Sequence, residues 1–359
     1  MKLMPLDKIT HEARLAEPIY NEEGKTLLNR GMVLSEKVVE RLKEKGVTFV
    51  YIEDEVTADL YPEELLTPYE HQKMLTTIQE NFKDISNKMA TGTTINMDEY
   101  SSSFSKIVKG ILEKVAANNE AISLLTNILS FDSSIFQHSL NVSILSLALG
   151  KKLKLNMHEL YELGLGALLH DIGKLGIPAD VLNKTDALNA DEYEIIKEHT
   201  VLGFNMIRKC GTLPLLSAHC AYQHHEKVDG SGYPRQLTAN EIHLYAKIIS
   251  IADVFDAVTS NRVYRKALLP HEGLELLFSG ANIVFDQQLV ELFTKTVVIY
   301  PIGLEVQLSD GRTGIVAKTH AYLPSRPVVR VVTGSMPYDL DLSKELGVTI
   351  SACEQPLIG

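Results

Sequence analysis

Residues 163–178 read LGLGALLHDIGKLGIP. The run has the texture of a helix built for burial, yet His170, Asp171 and Lys174 interrupt it. A lone charge in apolar company is expensive, so these groups need a partner, a metal or a chemical task.

Moving outward, residues 120–295 read as predominantly helical, with loops expected at IPAD (177–180) and DGSGYP (229–234). Nine of the twelve histidines lie between residues 138 and 271, so chemistry is sought there. His138 sits in SSIFQHSLNVSILSLALG, His170 and Asp171 end LGALLHD, and His199 follows EIIKE. His224 and His225 form HHE, and Asp253 interrupts AKIISIADVFDAV. One histidine beside an apolar stripe is more often a hydrogen-bonded core residue than a ligand. Five His and two Asp, all next to stripes that must face one core, converge only if something satisfies them together, and divalent metal does so.

Imidazole and carboxylate without thiolate suit iron, manganese, zinc or nickel, and seven ligands exceed one tetrahedral shell, so two ions are expected. Asp171, adjacent to His170, is placed to bridge them. Ions about 3.5–4 Å apart hold a water between them, acidify it and aim it at phosphorus, which points to phosphate-ester hydrolysis. Lys174 follows one turn after His170, where an ammonium can meet a phosphate oxygen. Arg262, Arg265 and Lys266 form a compact basic patch after the Asp253 helix, suited to phosphate. Tyr233, in the DGSGYP loop, can stack on a base, and the loop is a candidate lid.

The flanks have other textures. Residues 13–52 pattern as short strands around EEGK (22–25), a helix from about 35 to 45 and the strand TFVYI. Met74, Ile78, Phe82, Ile85 and Met89, and then Phe104, Val108, Ile111 and Val115, make stripes on two helices joined by TGTTIN (91–96). The stripes are shorter than the heptad run of a dimerising coiled coil, so bundle packing is the preferred reading and a homodimer through this region the alternative. After Tyr300 and Pro301, LEVQLSDGRTGIVAK and RPVVRVV alternate around a DG turn as a small β appendage.

Composition sets outer bounds. Forty-six acidic against 35 basic residues give a net charge of -11, which disfavours polymeric nucleic acid and anionic membrane surfaces as partners. The three cysteines, without CxxC spacing, argue against a disulfide framework and for a reducing compartment. No signal peptide or spanning run is evident, and a cytoplasmic location is expected.

In order along the chain, HDIGKLGIP, EHT, HHE, DGSGYP and IADVFDAVTSNRVYRKA resemble the HD-GYP subclass of the HD phosphohydrolase superfamily. The resemblance covers about residues 120–300. It implies a mainly α fold: an HD-domain helical bundle at 120–300, preceded by a small N-terminal α/β regulatory module (1–65) and a helical linker (66–119), and followed by a C-terminal β appendage (301–359). It implies a phosphodiesterase that cuts cyclic di-GMP to pGpG and, in some members, on to GMP, through a metal-bridging hydroxide. His138, His170 and Asp253 would hold one ion and His199, His224 and His225 the other, with Asp171 on both. The ions would be iron or manganese. Lys174 would assist the leaving group, Tyr233 would lie near a guanine, and Arg262 and Arg265 near the phosphates. Where three-metal members carry Glu this chain has Ser134, so two ions are expected, with Asp256 the remaining candidate for a third. The alternatives are a phosphodiesterase for another cyclic dinucleotide and a catalytically silent cyclic di-GMP receptor.

Overall fold

The computed structural model describes residues 1–9, 13–20, 26–44, 47–62, 65–118, 121–122, 135–184, 186–260, 267–320, 322–334 and 336–353. The EEGK turn, Ser134, Arg262, Arg265 and Lys266 lie outside the described residues. The fold is mainly α, a helical bundle with a small α/β part before it and a five-stranded sheet after it.

The bundle is built on α2 (Pro68–Ala90), α3 (Asp98–Ala117), α4 (Ile135–Lys152) and α5 (Met157–Leu169). It continues through a 3₁₀ turn (Ile172–Gly176), α6 (Ala179–Leu182), α7 (Ala190–Ile207), α8 (Leu215–Gln223), α9 (Leu244–Thr259), α10 (Pro270–Ser279) and α11 (Gln287–Phe293). Helix α5 is the axis, because two cores meet on it. Leu165, Leu168 and Leu169 pack with α2, α3 and α4, while Leu163 and Ala167 pack with α9, α10 and α11. A helix covered on both sides needs no polar face, which explains LGLGALL.

The stripes on α2 and α3 are buried within the same chain. Ile78, Phe82, Ile85, Phe104, Val108 and Ile111 all lie in the core shared with α4 and α5, as bundle packing requires. Side-chain caps start the helices that lead to the site. Asn156 accepts from the amides of His158 and Glu159 while Glu159 returns to the Asn156 amide, and Asn189 and Glu192 do the same for α7. The expected IPAD loop is only partly a loop: Ala179 and Asp180 already belong to α6, with Pro178 as its N-cap. Pro before the first helical residue is compatible with helix initiation.

Before the bundle, β1 (Lys2–Pro5) pairs antiparallel with β4 (Phe49–Ile52), α1 (Glu36–Glu44) packs beneath, and β2 (Ile19–Tyr20) pairs with β3 (Thr26–Leu28). Strand β1 lies ahead of the strands expected from residue 13 onward. After the bundle, β5 (Glu305–Leu308), β6 (Thr313–Lys318), β7 (Val328–Val331), β8 (Tyr338–Asp341) and β9 (Ile350–Cys353) form an antiparallel sheet in the order β8-β7-β6-β5-β9. The two ends touch. Phe49 and Tyr51 of β4 face a core shared with Leu304, Val306 and Val316, whereas Val50 and Ile52 face the core around Leu42. Apolar side chains on both faces of β4 account for the unbroken run FVYI. The Leu3 amide donates to the Gly303 carbonyl at 2.9 Å and the Tyr51 hydroxyl to the Ile302 carbonyl at 2.9 Å. Among the described residues, no helix is long and apolar enough to cross a membrane.

One glycine fixes the bundle against the turn that follows His170 and Asp171. A Cβ on Gly173 would overlap the His199 carbonyl and stand 2.5 Å from the Gly203 nitrogen. Backbone cannot retreat as a side chain can, so Gly173→Ala is expected to cost at least about 1–3 kcal/mol. Urea unfolding checks this, and an unchanged midpoint would contradict the packing.

Candidate metal centre

The seven side chains singled out from the sequence all come together. His138 comes from α4, His170 caps α5 and Asp171 opens the 3₁₀ turn. His199 lies in α7, His224 and His225 follow α8, and Asp253 lies in α9. Six of them are buried, and His225 is half-buried. Their donor atoms form overlapping groups: Asp171 with His199, His224 and His225; His138 with His170 and Asp171; His170 with His224 and Asp253.

Asp171 is the hinge between these groups. Its Oδ1 lies 3.4 Å from His199 Nε2 and 3.6 Å from His224 Nε2. Its Oδ2 lies 3.3 Å from His170 Nε2, 3.6 Å from His138 Nε2 and 2.6 Å from Lys174 Nζ. Each oxygen therefore faces a different set of imidazoles, the geometry a bridging carboxylate needs. Lys174 turns to Asp171, three residues before it, so the pair closes across a single 3₁₀ turn.

The rings are held by their outer nitrogens. His170 Nδ1 donates to the Ala167 carbonyl at 2.8 Å, His199 Nδ1 to Ile196 at 2.6 Å and His224 Nδ1 to Ala221 at 3.0 Å. Each carbonyl lies three residues back, so the preceding helical turn fixes the tautomer and leaves Nε2 aimed inward. His138 is held by a carboxylate instead: its Nδ1 lies 2.7 Å from Asp256 Oδ2. Asp256, the candidate for a third ion, thus serves as the acceptor that orients His138. Its other oxygen accepts from the Asn141 amide at 2.9 Å, and Asn141 Oδ1 accepts from Gln137 at 2.9 Å. The Gln137 amide also approaches His71 Nε2 on α2 at 3.0 Å. Burial lowers the His71 pKa to about 4, which keeps that nitrogen free to accept. Sequence spacing held one clue to this thread: His138 and Asn141 are three apart on one helix face.

Does this cluster fit metal? His170 Nε2 and Asp171 Oδ1 are buried with no hydrogen-bond partner, although both point into the centre, and His138 Nε2 meets Asp253 Oδ1 at 3.0 Å. Orphaned ligand atoms of this kind are what cation coordination satisfies. The protonation states agree. Burial pushes His199 down to about 3 and also lowers His170 and His225, so these rings are neutral at neutral pH. Burial opposes ionisation of Asp171, but Lys174 and His170 override it and hold the carboxyl well below its usual range. Burial also opposes ionisation of Asp253, and His138 overrides it.

The DGSGYP loop closes one side. A Cβ on Gly232 would stand 2.5 Å from Glu226 Cα and 2.6 Å from the His225 carbonyl, so this glycine lets the loop press against the HHE backbone. That contact is what its missing side chain allows. Tyr233 stacks on His225 with centroids 4.7 Å apart and 22° between planes. Glu226, buried, accepts from the Arg235 amide at 2.7 Å and the Leu237 amide at 2.9 Å, tying down the far end of the loop. Within HHE, Glu226 thus anchors the loop, a task that its sequence context does not show.

Burial works against a proton on His138, but Asp253 and Asp256 outweigh it and raise its pKa to about 9. A cation taken at Nε2 must displace that proton. Manganese affinity is therefore expected to fall about tenfold per pH unit below that value, so binding at pH 6 should be about 100-fold weaker than at pH 8. Asp256→Asn should flatten the dependence. Calorimetric titration across this range checks both, and a level profile for the unmodified chain contradicts the assignment.

Comparison with known proteins agrees with this picture. The HD domain family model matches residues 116–289. The chain is 35% identical over 227 residues to a cyclic di-GMP phosphodiesterase of Pseudomonas aeruginosa, covering 63% of this chain and 55% of that protein. It is 36% identical over 165 residues to a cyclic di-GMP phosphodiesterase of Thermotoga maritima, covering 46% and 45%. It is 38% identical over 155 residues to a 3'3'-cGAMP-specific phosphodiesterase of Vibrio cholerae, covering 43% and 36%. The chain thus spans about half the length, or less, of these curated relatives. Residues 116–289 thus match the HD domain model, and this stretch is helical and carries a buried His/Asp cluster capable of holding divalent metal.

Proposed function

We propose that this chain hydrolyses cyclic di-GMP to pGpG, with GMP as a further product, using two divalent ions, iron or manganese. One observation carries the reading: the two oxygens of Asp171 face two separate sets of imidazoles. His138, His170 and Asp253 would hold one ion and His199, His224 and His225 the other, with Asp171 shared. All seven come from one chain, so the ligand set itself draws on no second copy. Divalent ions bound there would supply Lewis acidity toward the phosphoryl oxygens and lower the pKa of water.

The chain's own groups do the rest. The Nδ1 anchors hold each Nε2 in place before substrate arrives, so little reorganisation is left for the reaction. Lys174 Nζ, 2.6 Å from Asp171 Oδ2, stands at the edge of the centre with about a quarter of its side chain exposed. From there it can donate to a phosphate oxygen or to the ribose 3′ oxygen as its bond to phosphorus breaks, yielding the 5′-phosphate of pGpG. Tyr233, stacked on His225, offers a flat wall beside the cleaved linkage. Residues 1–65 would act as a regulatory module on this domain, and a cytoplasmic location would suit an intracellular messenger. Two relatives named for cyclic di-GMP support the substrate, and the relative named for 3'3'-cGAMP keeps that dinucleotide as the second reading.

Metal-loaded protein, prepared without oxygen, should cleave cyclic di-GMP in preference to 3'3'-cGAMP and cyclic di-AMP, with products followed by chromatography. Binding without turnover under these conditions would establish the receptor alternative instead. His170→Ala combined with Asp171→Ala should lower turnover by at least about 10³ and abolish metal retention, while helical circular dichroism stays near that of the parent. Lys174→Met should lower kcat by about 10²-fold with metal content retained; equal loss of metal would make Lys174 a structural residue.

A further inference from the structure

Beyond the residues assigned above, α7 carries two side chains at the rim of the same centre. Tyr193 and Lys197 lie four apart, on one helix face, shortly before His199. Tyr193 is 47% exposed, and its ring meets the Tyr233 ring at 6.4 Å and 77°. Lys197 Nζ stands 5.0 Å from the Tyr193 centroid and 5.7 Å from the Tyr233 centroid. Glu194 Oε1 holds it from the side at 2.6 Å.

An ion pair with Glu194 alone would describe a solvated lysine. Here the side chain is only 26% exposed, and its ammonium rests over two rings, a placement that cation–π attraction favours. A continuous aromatic wall results. It starts at His199, passes to His225 at 5.0 Å and to Tyr233 at 4.7 Å, and ends at Tyr193. The inner end of the wall is the cluster that would receive a phosphate, and Tyr193 and Lys197 stand at its outer end.

The chemistry at that outer end is selective. An aromatic ring stacks on any base, since each base has a π face. An ammonium carries three donors and no acceptor. Guanine presents two acceptors, O6 and N7, along one edge, whereas adenine sets an amino donor beside its N7. We propose that Tyr193 and Lys197 form the nucleobase subsite, with Tyr193 stacking on the base next to the cleaved phosphate and Lys197 donating to guanine O6 and N7. The inference rests on the cyclic dinucleotide reading above and adds to it the residues that choose the base.

Steady-state kinetics of the metal-loaded chain with cyclic di-GMP and cyclic di-AMP test it. Lys197→Met should lower kcat/KM for cyclic di-GMP at least about tenfold, mainly through KM, and leave cyclic di-AMP nearly unchanged. Tyr193→Ala should raise KM for both by about tenfold, and Tyr193→Phe should restore it, because stacking needs the ring and not the hydroxyl. Metal content should be the same in all variants. An unaltered guanine preference in Lys197→Met overturns the assignment, as does a Tyr193→Phe variant as impaired as Tyr193→Ala. If the parent chain cleaves neither dinucleotide, the hydrolase reading falls on its own. Equilibrium dialysis of cyclic di-GMP against the same variants then decides the subsite: weaker binding by Lys197→Met supports it, and equal binding, or none by the parent chain, rejects it.

Discussion

A carboxylate taken out of water costs several kcal/mol unless charge and hydrogen bonds replace the solvent, and the bundle is organised around meeting that cost for Asp171. Lys174 neutralises it from one side, and four inward-facing imidazole nitrogens surround it on the others. Lys174 pairs with Asp171 and a protonated His138 with Asp253, so a ligand set freed of the His138 proton needs positive charge from elsewhere. A divalent ion on each side of Asp171 would supply it, and this demand links the fold to the chemistry.

Rigidity at the centre comes from ordinary secondary structure. A histidine placed where its ring can reach the carbonyl three residues back is fixed in both tautomer and direction, and the bundle uses this device at His170, His199 and His224. The fourth case departs from it. His138 turns outward to Asp256, and through Asn141 and Gln137 the polar thread reaches His71 on α2. Helix α2 also meets the 3₁₀ turn, where Met89 packs beside Gly176. The same helix therefore touches two of the elements that supply the centre.

The sequence shows the seven convergent residues and the helical class because both are local patterns: polar residues at the ends of apolar helices, and stripes at helical spacing. What it hides depends on partners far along the chain. Asp256 looks like another ligand until His138, 118 residues away, is seen to claim it. Gly232 looks like a turn residue until the HHE backbone is seen against it. Strand β1 alternates too briefly to stand out, since it exists by pairing with β4. The capping boxes at Asn156 and Asn189 were readable from N-x-x-E spacing alone.

The seam between the two ends bears on how the polypeptide is made. Tyr51 and Ile302 are 251 residues apart, yet they share a hydrogen bond at the edge of one apolar layer. A ribosome adding about 5–20 residues per second needs roughly 10–50 s to bridge that interval. Throughout it, Leu3, Phe49 and Tyr51 have emerged while Leu304 and Val306 have not been synthesised. The nascent α/β segment thus waits with one greasy face uncovered as the helices assemble behind it, and the final strands close over that face last.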